Sequence, residues 1–195
     1  TLQNTPFRQF KHFVGEGGIS TPLVVHWPGG IDRSRNGSYV KEMGHLVDIR
    51  PTLLEVAGVS YPKSYNGHEL VPLQGQSFSS TFRSGTWNRS GPLFFEHEGN
   101  RAIRNGQWKL VQNWGQQWCL YDMTTDRSET RDIAASRPDL VYQLAAQWNT
   151  WASQSFMDPW TAEINKLIFA KGARQNWAGM GTPKLPHAMD AAVKW

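Results

Sequence analysis

The chain has 195 residues, ten tryptophans, 39% hydrophobic and 18% charged residues, a formal net charge of +4 and a pI near 9.3. That much apolar surface offsets the entropy of ordering and excludes a disordered chain, and the length suits one compact unit with an appendage. The Lys and Arg residues are scattered rather than gathered into a stripe interleaved with aromatics, which argues against nucleic acid as the partner and leaves an anionic small substrate compatible with the charge.

The opening segment reads as irregular chain up to Gly18 and places Lys11 five residues before a Glu16-Gly17-Gly18 turn. "TPLVVHW" then predicts a strand, with Pro22 at its start, where a missing ladder donor matters least. Next, "GHLVDIRPTLLEVAGV" carries Ile49, Leu53, Val56 and Ala57 at helical spacing. Asp48 is its expected cap, Pro51 suits its first turn and Gly58 its end. One strand and one helix are half of a repeating α/β unit, and a strand apolar on both faces needs neighbours, so a larger parallel sheet is expected ahead of it.

Residues 61–91, rich in Pro, Gly and Ser, read as a surface connection. "PLFFEHEG", "RAIRNGQWKLVQ" and "QQWCLYDM" are short apolar or alternating runs split by the turns Asn105-Gly106 and Trp114-Gly115, which predicts an antiparallel meander. Leu140, Leu144, Trp148 and Trp151 then form the stripe of a helix lying on that sheet, and Ser136 with Asp139 makes an S-x-x-D start signal. Sheet and helix together predict a small two-layer unit. The tail, 156–195, holds one helical pattern, "TAEINKLIFAKGA", and no further period.

Cys119 is the single cysteine, so no internal disulfide and no cysteine-rich zinc motif exists in the chain. No run approaches the ~18 apolar residues of a membrane span. The first residues lack the apolar core of a signal peptide, and the missing start methionine reads as a fragment. His12, His26, His45 and His68 pair with no second ligand at a recognisable spacing, so no metal site is expected here. His45, ahead of the helix, reads as a packing or capping residue.

"NTPFRQFKHFVGEGGISTPLVVHWPGGI", "HLVDIRPTLLEVAGV", "GQSF", "EHEGNRAIRNGQWKLV" and "LYDMTTDRSETRDIA", in this order and spacing, resemble the C-terminal part of the sulfatase family, bacterial arylsulfatases in particular, over residues 4 to roughly 155. The resemblance implies an α/β fold, α+β in its last unit: the end of an alkaline-phosphatase-like domain over 1–72, an antiparallel sheet with one long helix over 73–155, and a tail over 156–195. It implies hydrolysis of sulfate esters of aryl compounds or sugars, with calcium and a formylglycine made from a C/S-x-P/A-x-R motif, in a periplasmic or secreted parent. Cys119 is followed by "LYDM", so it does not match that motif. The nucleophile and metal ligands belong to a part of the family not covered here, which makes this chain alone an expected non-catalyst.

One catalytic position does match. In such enzymes a lysine five residues before the E-G-G glutamate contacts the sulfate, and Lys11 has that spacing. In isolation a lysine in a polar loop is a solvated charge; the surrounding motifs favour the functional reading. His97, Asn100 and Arg101 of "EHEGNRA" are candidate substrate contacts, against the plainer reading of a polar turn. Two other functions stay open at this point: a non-catalytic interaction domain that self-associates through exposed apolar surface, and a phosphoester hydrolase of the same superfold.

Overall fold

The computed structural model describes residues 4–155. They divide into two compact units, one taking in the chain up to Thr21 together with the stretch from Pro92, the other being Pro22–Gly91. In chain order the first element is a single helical turn, α1 (Glu16–Ile19). Neither of its glycines has a positive φ. What they supply is room: a Cβ on Gly17 would stand 2.0 Å from the Arg8 carbonyl oxygen, and one on Gly18 1.8 Å from that of Phe13.

In the Pro22–Gly91 unit, the segment expected to be a strand forms no ladder, and Leu23 and Val24 are 61% and 88% exposed. A strand is stable only when its backbone is paired, and no described residue of this unit pairs with it. The expected helix is present as α2 (Ile49–Val56), and Gly58, at φ +66, follows its C-cap. Asp48 holds the N-cap position of α2, but its side chain makes no cap hydrogen bond to that helix and turns elsewhere. Fully buried, it accepts from the backbone N–H of His45 at 2.7 Å and of Gln76 at 2.8 Å, and pairs with Arg89. His45 caps the preceding turn, its Nδ1 accepting from Val47 N–H at 3.3 Å. Within the stretch read as a connection, β1 (Ser64–Tyr65) and β2 (His68–Glu69) form a hairpin around Asn66-Gly67, both at positive φ. Asn-Gly is the preferred pair for such a turn.

The other unit is built on β3 (Leu93–His97), β4 (Asn100–Asn105), β5 (Trp108–Gln112) and β6 (Cys119–Asp122), an antiparallel meander in sequence order, and α3 (Pro138–Gln154). Alternation along the strands gives the sheet two apolar faces. Ile103, Leu110 and Leu120 pack under Val141, Leu144, Ala145 and Trp148 of α3, where Phe94 stacks on Trp151 with ring centroids 5.1 Å apart. Ala102, Val111 and Tyr121 face the other way, against Val14 and Ile19 of the opening segment. The unit therefore has three layers where the sequence predicts two: the opening segment has no periodicity, yet it covers the second face. Helix α3 starts with Pro138 at its first turn, while the Ser136 hydroxyl donates to Ile133 O at 2.8 Å and caps nothing. Pro needs no N-terminal acceptor, so that end tolerates the missing side-chain cap.

Candidate functional site

The opening segment is fixed to the sheet by a buried ion cluster. Lys109, the second residue of β5, is fully buried on the face that meets the opening segment. Its Nζ donates to Glu16 Oε1 at 2.9 Å and lies 2.8 Å from Glu129 Oε1, an ion-pair contact off the hydrogen-bonding angle. The other Glu129 oxygen accepts from the Glu16 N–H at 2.8 Å, and Arg127 reaches Glu16 Oε2 at 3.2 Å. Burial works against the Glu16 carboxylate, but the Lys109 charge and hydrogen bonds from Lys109 and Arg127 together outweigh it and hold its pKa below the ordinary 4.5. The E-G-G glutamate is thus an anchor. It presents the residues just before it at one end of the sheet.

Lys11 stands on that segment, exposed to solvent. The next residue, His12, turns inward, with Nδ1 2.9 Å from Glu98 Oε2 and its ring centroid 5.7 Å from that of His97. His97 closes β3 and Glu98 begins the two-residue turn into β4; Glu98 and Gly99 have φ of +53 and +79. That turn type favours Asn or Asp followed by Gly, so a glutamate there bears some backbone strain. The turn is tied down by Gly99 N–H, which donates to Glu96 Oε1 at 2.9 Å.

Asn100 is buried and fully engaged. Its Nδ2 donates to the carbonyls of both His12 and His97 at 2.9 Å, and its Oδ1 accepts from Trp114 N–H at 3.1 Å. One amide thereby clamps the two histidine-bearing segments together. Arg101 points to the helix-covered face, its guanidinium 4.9 Å from the Trp118 ring centre and 5.1 Å from that of Trp148, with Nε donating to Gln112. Burial lowers its pKa from the ordinary value. Of the four residues singled out from sequence, the fold brings Lys11, His97 and Asn100 into one neighbourhood through His12, and engages Arg101 with tryptophans. Asn100→Ala is expected to lower the stability of this unit by about 1–3 kcal/mol, because two part-buried carbonyls lose their donor and the Trp114 N–H its acceptor; urea denaturation measures it, and an unchanged midpoint would contradict the clamp.

In the sequence Lys109 and Glu129 carry no functional mark, His12 stands only as a histidine with no second ligand at a recognisable spacing, and Glu98 is one of the polar contacts offered by "EHEGNRA". Lys109 left a signal: a lysine inside the apolar run "WKLVQ" at a core position requires buried carboxylates. The His12–Glu98 pairing left none, being 86 residues apart. His26 and His68 are exposed, in the other unit. Burial, first of all, pushes the Cys119 thiol up to about 11, which keeps it protonated at neutral pH.

A family model described as "N-sulphoglucosamine sulphohydrolase, C-terminal" matches residues 7–152. The chain belongs to the sulfatase family. Similar curated proteins include an uncharacterized sulfatase of Schizosaccharomyces pombe, 29% identical over 77% of this chain and 28% of that protein. Arylsulfatase K of Danio rerio is 33% identical over 70% of the chain and 27% of its own length. A sulfatase of Formosa agariphila is 26% identical over 86% and 34%. The chain therefore spans about a third or less of the length of these relatives. Among solved structures, "Ps i-CgsB" superposes with a TM-score of 0.62 at 23% identity, over 87% of this chain and 38% of that one. The same protein in complex with k-i-k-neocarrahexaose gives 0.51 at 22% identity, over 76% and 33%. The architecture is that of an alkaline-phosphatase-like sulfatase, seen over its C-terminal region.

Proposed function

We propose that the complete protein hydrolyses sulfate esters and that this chain supplies Lys11 as the group that contacts the sulfate. The observation that carries this reading is the family match over residues 7–152, with Lys11 exposed on a segment anchored through Glu16 to the buried Lys109. An ammonium at that place holds one sulfate oxygen and offsets the charge that builds on the bridging oxygen as the S–O bond breaks. His97, exposed at the tip of β3, is the second contact. Asn100 acts on substrate through the two carbonyls it clamps, and Arg101 shapes the strand beneath.

A sulfated saccharide is the proposed substrate class. A structural neighbour is described in complex with a neocarrahexaose, and a rigid hairpin tip beside an exposed lysine suits a sugar better than a deep apolar slot would. Calcium and formylglycine belong to the family's chemistry and are proposed for the complete protein, in a periplasmic or secreted setting. The metal-capable group among the described residues, His12, His97 and Glu98, does not fit calcium, which takes about 6–8 oxygen ligands. Cys119, half-buried, protonated and outside the motif, does not fit the formylglycine precursor.

The complete protein assayed side by side with nitrophenyl sulfate and nitrophenyl phosphate tests the reaction. Turnover of the sulfate well above that of the phosphate is expected; equal or greater phosphate turnover would make the protein a phosphoester hydrolase. The 195-residue chain alone is expected to turn over neither, and activity in it would refute the assignment of nucleophile and metal to the rest of the protein.

A further inference from the structure

The hairpin tip brings together three residues with metal-binding atoms from two distant parts of the sequence. One ligand atom each from His12, His97 and Glu98 can be chosen so that all lie within 4.8 Å of one another. Ligands on one tetrahedral zinc, with bonds of ~2.0–2.2 Å, stand about 3.3 Å apart. The His12–Glu98 pair, at 2.9 Å, is already near that edge length. His97 is exposed at the end of its strand, so its ring is able to turn inward by the remaining distance without disturbing the core.

The surroundings are organised for this. Asn100 fixes the carbonyls of His12 and His97 with the same amide nitrogen, at 2.9 Å each. Glu98 occupies a left-handed turn position, φ +53, that glutamate ordinarily avoids, and its carboxylate is turned onto the His12 ring. A position that pays backbone strain and still carries a glutamate is where a functional constraint is expected. Two imidazoles and one carboxylate are the donor set of zinc-type divalent ions, and are a poor set for calcium or magnesium.

We propose that His12, His97 and Glu98 form a binding site for one divalent transition-metal ion of the zinc type, with its remaining coordination open to solvent. This site is separate from the calcium proposed for the reaction and stands whether or not the sulfatase reading holds. Bound metal would join the opening segment to the β3–β4 turn at the residue next to Lys11, so occupancy would fix the backbone from which that lysine projects.

The test is zinc titration of the tag-free 195-residue chain after chelator dialysis, followed by calorimetry and by the visible absorption of a cobalt-loaded sample. One ion per chain is expected, with cobalt bands that mark imidazole coordination. His97→Ala and His12→Ala should each weaken binding by about 10-fold or more and bleach the cobalt spectrum. His68→Ala, in the other unit, should leave both unchanged. Glu98→Gln, which keeps size and hydrogen bonding but loses the charge, should also weaken binding, and circular dichroism of each variant reports that the sheet and helix persist. Absence of stoichiometric zinc binding, or binding that His97→Ala and His12→Ala leave intact, would overturn the proposal.

Discussion

Replacing Lys109 by Met is expected to destabilise its unit by about 3–5 kcal/mol, the cost of removing one partner from a buried ion cluster. The geometry sets the size of the effect. Lys109 is fully buried between Glu16 Oε1 at 2.9 Å and Glu129 Oε1 at 2.8 Å. Methionine fills the space without the charge, leaving the two carboxylates with Arg127, whose side chain is 60% exposed and pairs with Glu16, and with the charge of Arg104. Urea denaturation read by tryptophan fluorescence measures the loss. A variant within about 1 kcal/mol of the parent would show that the cluster contributes specificity of packing rather than stability.

The same variant should reverse the acid response. In the parent, the Glu16 carboxyl is held below its ordinary value of 4.5. A depressed folded pKa gives stability that is present above the unfolded value and lost as pH falls through the folded one. Without Lys109, burial is opposed only by the Arg127 hydrogen bond and the Arg104 charge, so the Glu16 pKa is expected to rise above its ordinary value and its contribution to change sign. The variant should then gain stability as pH falls from neutrality toward 5, over a range in which the parent stays level. Parallel pH profiles for the two proteins would contradict this account of the cluster.

How far the fold is legible in the sequence depends on whether each segment carries its own partners. The meander is readable because Asn105-Gly106 and Trp114-Gly115 mark turns between runs that pair with their immediate neighbours, as β3 to β6 do. Helix α3 is readable from the Leu144, Ala145 and Trp148 face it buries. By contrast, "TPLVVHW" has strand composition and no partner among the described residues, so its pattern alone does not make a ladder. The Asn66-Gly67 hairpin lies in a stretch that reads as connection, because its two-residue strands are too short and polar to stand out, and only the Asn-Gly pair marks the turn. At the site, the spacing of Lys11 to Glu16 is local and visible, whereas the His12–Glu98 and Lys109–Glu129 pairings exist only once the opening segment lies across the sheet. Apolar periodicity locates layers; ion pairs between layers have no periodicity to show.

Lys11→Ala in the complete protein is expected to lower turnover by about 10²-fold or more, the usual cost of losing a donor aimed at charge that develops in the transition state. Lys11 is exposed and outside both apolar clusters, so the variant should unfold at the same urea concentration as the parent, which separates a catalytic loss from a structural one. If the ammonium acts on the bridging oxygen, the penalty must depend on how much charge that oxygen bears as the bond breaks. A nitrophenol leaves well with little help; a sugar hydroxyl, far less acidic, needs more. The loss in kcat should therefore be larger for a sulfated saccharide than for nitrophenyl sulfate, with KM changing less than kcat in both cases. A loss confined to KM would instead make Lys11 a ground-state anchor for sulfate, binding substrate and transition state alike. An unchanged rate with both substrates would remove Lys11 from the mechanism and leave the Glu16–Lys109 anchor as a purely structural device.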